Sequence, residues 1–68
     1  MRIRVNDSWF DSPYEAVKFA MQSDMKRALE TSREEIPWVR YKNDPMINRA
    51  EWLKLTLKRL CDSFEVLE

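Results

Sequence analysis

The chain has 68 residues, with 12 lysines and arginines balanced by 12 aspartates and glutamates, one cysteine, no histidine and no glycine. This length allows one domain, and a single thiol without histidine excludes an internal disulfide and leaves a poor ligand set for zinc. The absence of glycine excludes glycine-rich phosphate loops, and the balanced charge provides no overall field that would hold the protein on nucleic acid or anionic lipid.

The first ten residues alternate in polarity. Ile3 and Val5 alternate with arginines, a pattern typical of a half-buried strand. Asn6 and Asp7 tolerate the left-handed backbone region and can form a two-residue turn. We therefore predict a short β-ribbon over residues 1–10, with a helix beneath it, because an isolated hairpin is only marginally stable.

A first helix is predicted over residues 13–30. Ser12 and Glu15 fit a capping box, with Pro13 at the first helical position. Its predicted core-facing side consists of Tyr14, Val17, Met21, Met25 and Ala28, with Leu29 at the edge. Phe19 falls on the opposite side, so it either packs under the ribbon or is an exposed aromatic anchor for a partner.

Residues 38–42 are predicted to be extended. Pro37 directs the residue before it away from the helical region, so no long helix can run through this point. Val39 and Tyr41 then lie on one side of the segment, with Trp38 on the other. The segment is a third strand or a loop lying on the core.

A second helix is predicted over residues 45–66, because Asp44 and Pro45 suit the N-cap and the first turn. Apolar residues recur along it at steps of four and three: Met46, Ala50, Leu53, Leu57, Leu60, Phe64 and Leu67. Such a heptad stripe is typical of a helix bundle or coiled coil. The first helix is too short to cover the whole stripe, which predicts a dimer seam formed by Leu57, Leu60, Phe64 and Leu67.

These elements predict a mainly α fold, with an α+β fold as the alternative. The predicted architecture is a two-helix antiparallel hairpin with a short N-terminal β-ribbon, completed by dimerisation. Oligomerisation is one of the few means by which so short a chain can be stabilised.

Trp52 and Leu55 lie beside the heptad stripe and are neighbours on the helix surface. Either Trp52 packs under the hairpin, or the pair forms a binding patch together with Arg59, since tryptophan and arginine are over-represented among interface hot spots. The residues that we predict to contact a partner are Trp52, Leu55, Arg59, Phe19 and Trp38.

Few groups in the chain suit catalysis. No histidine is present for acid–base chemistry near neutral pH, and Cys61 has no histidine partner that would activate its thiol. We therefore predict no enzymatic activity, no cofactor and no metal site.

The predicted function is a non-enzymatic protein-binding module, an inhibitor or adaptor of another protein, which forms a homodimer. The alternative is a small nucleic-acid-binding regulator that uses the basic residues Arg2, Arg4, Arg40, Lys42 and Arg49. A subunit of a larger assembly is a third possibility, which differs from the first mainly in the permanence of the partner.

The lone thiol and the lack of an apolar run of about 20 residues predict a cytoplasmic protein without membrane contact. Size and composition suggest an accessory protein of a phage or mobile element.

Overall fold

The structure, a computed structural model, describes residues 1–33 and 48–68. In chain order these residues form β1 (Arg2–Val5), β2 (Ser8–Phe10), α1 (Pro13–Ser23), α2 (Met25–Arg33), α3 (Arg49–Leu60) and β3 (Phe64–Leu67). The predicted extended segment 38–42, with Trp38, Arg40 and Lys42, lies outside the described residues. None of the described helices is both long enough and apolar enough to cross a membrane.

The strands form one antiparallel sheet in which β1 lies between β2 and β3. β1 and β2 make the N-terminal hairpin, in which Val5 faces Ser8 across a two-residue turn. Asn6 occupies the left-handed region of that turn, with φ of 54°, a conformation that asparagine tolerates better than most residues. The Asn6 N–H also donates to the Ser63 carbonyl at 2.9 Å, which joins the turn to the chain just before β3.

The third strand makes the fold α+β, so the prediction of a mainly α fold based on a two-helix hairpin is wrong. The chain leaves the helix after Leu60, and Phe64 pairs with Val5 of β1. Phe64 and Val66 are partly buried against the core, whereas Glu65 and Leu67 are exposed. Buried and exposed side chains therefore alternate with a period of two in this segment and do not follow the heptad period. Pairing with β1 provides hydrogen-bond partners for the backbone N–H and C=O groups of β3.

The predicted helix over residues 13–30 consists of two helices that meet at Asp24. This residue has φ of −145° and ψ of 88°, which ends α1. Its Oδ1 accepts the Arg27 N–H at 3.1 Å and so caps the start of α2. The capping box predicted for α1 is wrong, because the Ser12 side chain makes no capping hydrogen bond and only its carbonyl accepts the Ala16 N–H.

The second predicted helix, over residues 45–66, ends earlier than expected, and its predicted start at Asp44 and Pro45 lies outside the described residues. α3 begins at Arg49, after Asn48, whose side chain accepts the Glu51 N–H at 2.8 Å. It ends at Leu60, because turn-forming residues follow at Asp62 and Ser63.

The core lies between the sheet and the helices. Its largest fully buried side chains come from β1 and α3: Ile3, Val5, Leu53, Leu57 and Leu60. α1 adds Ala16, Val17 and Ala20. Two of these three residues are alanines, which allow the α1 backbone to approach its neighbours closely. The longer side chains of Phe19 and Met21 in α1 are partly buried and pack against this core.

Arg27 of α2 holds the end of α3. Its guanidinium donates to the Lys58 carbonyl at 3.2 Å and to the Arg59 carbonyl at 3.0 Å, and it pairs with Asp62 at 2.7 Å. The last carbonyls of a helix have no partner within the helix and carry its partial negative charge, so a cation suits this position. Arg27 thereby joins α2 to the point at which the chain changes from helix to strand.

We expect Arg27→Met to lower the free energy of unfolding by about 1 to 2 kcal/mol, because it removes two charged hydrogen bonds to carbonyls at the end of α3. Asp62→Asn should cost less than about 1 kcal/mol, since the Asp62 side chain is 95% exposed and solvent screens the ion pair. Urea denaturation measures both changes. The control is Lys54→Met, which removes a positive charge from an exposed position on α3, and an equal loss in that variant would contradict the role given to Arg27.

Candidate functional site

An open groove of about 390 Å³ runs between α1 and α2. It is lined mainly by apolar side chains: Tyr14, Val17, Met21, Met25, Ala28 and Leu29, with Lys18, Gln22 and Ser32 completing it. Val17 and Ala28 are buried and form its floor. Tyr14 near the start of α1 and Ser32 near the end of α2 both line it, so the groove follows the two helices along much of their length.

Large apolar side chains stand exposed along this groove. Tyr14 is 64% exposed, Met25 63% and Leu29 57%. Isolated apolar residues on a surface are normal, but contiguous patches mark sites of interaction or aggregation. Since these three share one groove with the partly buried Met21, they form a contiguous apolar surface.

The charged residues at this surface are one lysine in the groove and two groups on the outside of α2. Lys18 lines the groove, and Lys26 and Glu30 are exposed on α2. None of these three makes an ion pair within residues 1–33 and 48–68.

The residues predicted to form a dimer seam lie in different environments. Leu57 and Leu60 are buried in the core of their own chain, and Phe64 packs against that core from β3. Leu67 is 44% exposed on the outer side of the sheet. The four residues form no continuous seam, because the helix that would align them ends at Leu60.

The predicted patch on α3 is also divided. Trp52 is only 5% exposed and belongs to the core, whereas Leu55 is 53% exposed. Arg59 is exposed, and its carbonyl accepts a hydrogen bond from Arg27. Of the two apolar members of the patch, Leu55 alone is accessible to a partner in this structure.

Phe19 packs under the ribbon, the first of its two predicted positions. Its ring centroid lies 5.1 Å from that of Phe10 in β2, with the planes tilted by 44°. This geometry is a favourable aromatic contact. Trp38, the remaining predicted partner contact, lies outside the described residues.

Basic side chains on the outer face of the sheet are already in contact with neighbours. Arg4 donates to the Asn6 carbonyl and to the Ser63 hydroxyl, and it lies 3.7 Å from the Glu65 carboxylate. Arg2 lies 4.8 Å above the centre of the Trp9 ring, a cation–π contact. The two arginines therefore stabilise the sheet, although Arg2 and Trp9 are also exposed side by side.

Cys61 is buried at the end of α3, and the structure describes no other free thiol. Its Sγ–H lies within hydrogen-bonding distance of the Leu57 carbonyl at 3.3 Å and of the Ser63 carbonyl at 3.6 Å. Burial raises the pKa of the Cys61 thiol above its ordinary value of 9.0, and the positive charge of Arg27 only partly opposes this shift. The thiol is therefore protonated at neutral pH, which makes it a poor nucleophile.

Among the described residues, no group of three or more acidic or cysteine side chains is placed to hold a metal ion.

In comparisons with known proteins, the chain matches no family model, no curated protein and no solved structure.

The apolar pattern of the first helix predicts that the residues now found along the groove face the core. Tyr14, Met25 and Leu29 belong to the apolar side of the predicted first helix, and this pattern does not distinguish a buried face from an open groove. The break at Asp24 redirects α2, so these side chains line the surface between two helices. The signal for that break was the aspartate in an N-cap position.

We expect the stability of the protein to fall as pH rises above 9.0, because the Cys61 thiol ionises in the unfolded chain before it ionises in the folded one. The contribution of the protonated Cys61 thiol to the free energy of unfolding is fully present below the ordinary thiol pKa. It is lost as the pH rises towards the raised pKa of the thiol in the folded chain. The slope due to this group cannot exceed about 1.4 kcal/mol per pH unit. Urea denaturation at several pH values, under reducing conditions, measures it.

Cys61→Ala is the control, since it removes the thiol and leaves every other titrating group in place. The difference in unfolding free energy between the native chain and this variant should change with pH. If the free energies of unfolding of the two proteins change in parallel across the alkaline range, the buried Cys61 thiol does not cause the pH dependence.

Proposed function

We propose that the chain is a non-enzymatic protein-binding module whose α1–α2 groove receives an amphipathic helix. The observation that supports the proposal is the contiguous apolar groove with Tyr14, Met25 and Leu29 each more than half exposed. A folded chain that leaves such side chains open, although it has a well-formed core elsewhere, has a surface suited to a partner.

A helix is the partner element that suits the dimensions of the groove. α1 has 11 residues and α2 has 9, which gives helices roughly 16 and 13 Å long. A partner helix lying between them would present apolar side chains at spacings of three and four residues. Met21 and Met25 favour this use, because methionine side chains adapt to irregular partner surfaces.

The absence of histidine and the protonation of the Cys61 thiol support the non-enzymatic part of the proposal. A module without chemistry of its own acts by occupying a surface of its partner. It therefore works as an inhibitor when that surface is functional, or as an adaptor when the module binds a second protein.

A displayed library of amphipathic helical peptides of about 16 residues tests the groove. We expect selected peptides to carry apolar residues on one face and to bind the folded chain. Leu29→Glu should weaken that binding at least tenfold, a loss of about 1.4 kcal/mol. Circular dichroism should show that the variant remains folded, since Leu29 is exposed.

Leu55→Glu provides the matched control, because it makes the same change at an equally exposed leucine on α3 that does not line the groove. This variant should bind the selected peptides as the native chain does. Peptides that bind equally to Leu29→Glu, or a library from which nothing is enriched, would contradict the proposal. If only Leu55→Glu lost binding, the peptide-binding site would lie on α3 and not in the groove.

The second candidate function is a nucleic-acid-binding regulator, which is supported by the exposed pair of Arg2 and Trp9 on the sheet. Aromatic and arginine side chains can stack on unpaired bases. The charge available there is small, because Arg4 is already paired with Glu65.

Titration of labelled single-stranded and duplex oligonucleotides at low salt tests this candidate. If the sheet binds nucleic acid, affinity should fall steeply with salt concentration, and Arg2→Ala should weaken binding. Absence of binding at about 20 mM salt, where counterion release favours it most, would exclude this candidate.

A further inference from the structure

We infer that the outer edge of β3 pairs with an extended strand of another protein, one in which apolar residues alternate with lysine or arginine. The inference goes beyond the proposed function, because this edge of the sheet is a second surface, made by residues that do not line the α1–α2 groove. A module with both surfaces can bind two proteins at once, which is what the adaptor role requires.

The hydrogen bonds between β3 and β1 alternate along the two strands. The Asn6 N–H donates to the Ser63 carbonyl at 2.9 Å, so these two residues face each other at a hydrogen-bonded position. Bonded and non-bonded positions alternate in an antiparallel pair. The next residues of β3 that bond to β1 are therefore Glu65 and Leu67, which lie opposite arginines of β1.

The two intervening residues, Phe64 and Val66, direct their backbone N–H and C=O groups away from β1. Among the described strands none lies on that side, because β3 is the outermost strand of the order β2-β1-β3. The strand contains no proline or lysine, the residues that commonly block a sheet edge. An extended chain is the element that can satisfy such a row of backbone groups.

The side chains of β3 that face the core are covered on one side only. Phe64 and Val66 lie beside Val5 and Ile3 of the central strand, and both of those residues are fully buried. Phe64 and Val66 themselves are only partly buried. A further strand along the edge would cover them, and its own side chains on that face would be apolar for the same reason.

The charge of the segment 62–68 indicates the kind of strand that fits. This segment contains Asp62, Glu65 and Glu68 and no basic residue. The Glu65 side chain remains 49% exposed and that of Asp62 95% exposed, although each contacts an arginine of its own chain. Lysine or arginine at the alternate, outward-facing positions of a partner strand would complement these carboxylates. A second copy of β3 would instead place the same acidic segment against itself.

Amide hydrogen exchange of the full chain, followed by NMR, tests whether the edge is open. In the free chain we expect the N–H groups of Phe64 and Val66 to exchange at least about tenfold faster than those of Glu65 and Leu67, which bond to β1. Slow exchange at all four positions would mean that the edge is already paired, and it would overturn the inference.

A blocked peptide of about seven residues, in which valine alternates with lysine, is the probe for the partner strand. At saturation it should slow exchange at Phe64 and Val66 by about tenfold. A peptide with glutamate in place of lysine should bind at least about threefold more weakly at low salt, because the segment 62–68 is acidic. Absence of binding by the lysine peptide at about 1 mM, or equal binding by both peptides, would overturn the inference.

Val66→Pro tests the backbone contact directly. It removes an N–H that points outwards and leaves the bonds between β3 and β1 in place, and proline is tolerated at such edge positions. We expect a native circular dichroism spectrum and a loss of affinity for the lysine peptide of at least about tenfold. Val66→Ala is the matched control, because it shortens the side chain and keeps the N–H, and it should bind within about threefold of the native chain.

Unchanged binding in a folded Val66→Pro variant, or an equal loss in both variants, would overturn the backbone pairing. The exchange measurements on the native chain remain decisive even if Val66→Pro does not fold. Leu29→Glu should bind the lysine peptide as the native chain does, because Leu29 lines the groove. If helical peptides bind the groove and no strand peptide binds the edge, the proposed function stands and this inference fails. The reverse result would leave the edge as the binding surface and reject the groove.

Discussion

The fold depends on how the chain ends α3 and enters β3. The last carbonyls of α3 have no partners within the helix. The guanidinium of Arg27, from α2, donates hydrogen bonds to two of them. Once the helix is closed there, the next residues can turn and pair with β1, the central strand of the sheet. A single side chain therefore connects α2 to the end of α3 and to Asp62, just before the last strand. Through that strand, the two ends of the described chain lie side by side in one sheet.

This arrangement leaves apolar side chains exposed between α1 and α2. β1 and α3 fill the core with Ile3, Leu53 and Leu57, and the buried side of α1 consists mainly of small residues. Tyr14, Met25 and Leu29 stay outside this core and line the groove. The break at Asp24 matters for the same reason, because one straight helix would have presented Met25 in a different direction from the one in which α2 presents it.

A groove between helices suits recognition because it combines shape with adaptability. Its buried floor holds the position of the surface, and its methionines can repack around a partner helix. The charged residues outside the apolar part give orientation more than affinity, since exposed ion pairs contribute little to binding free energy.

Local patterns in the sequence determined the N-terminal hairpin, the helical character of most of residues 13–30 and of residues 49–60, and the burial of Leu53. Alternation, turn residues and helical spacing act over a few neighbouring residues, so they can be read from the sequence. Tertiary structure decided the rest. Phe64 fits both a heptad and a strand, and only the open edge of β1 made it part of a strand. The prediction that Tyr14 and Met25 face the core is wrong, because an apolar stripe records polarity and not what covers it. Whether Tyr14, Met25 and Leu29 enter the core or line a groove depends on the volume already filled by α3 and the sheet, and that volume is set by residues distant in the sequence.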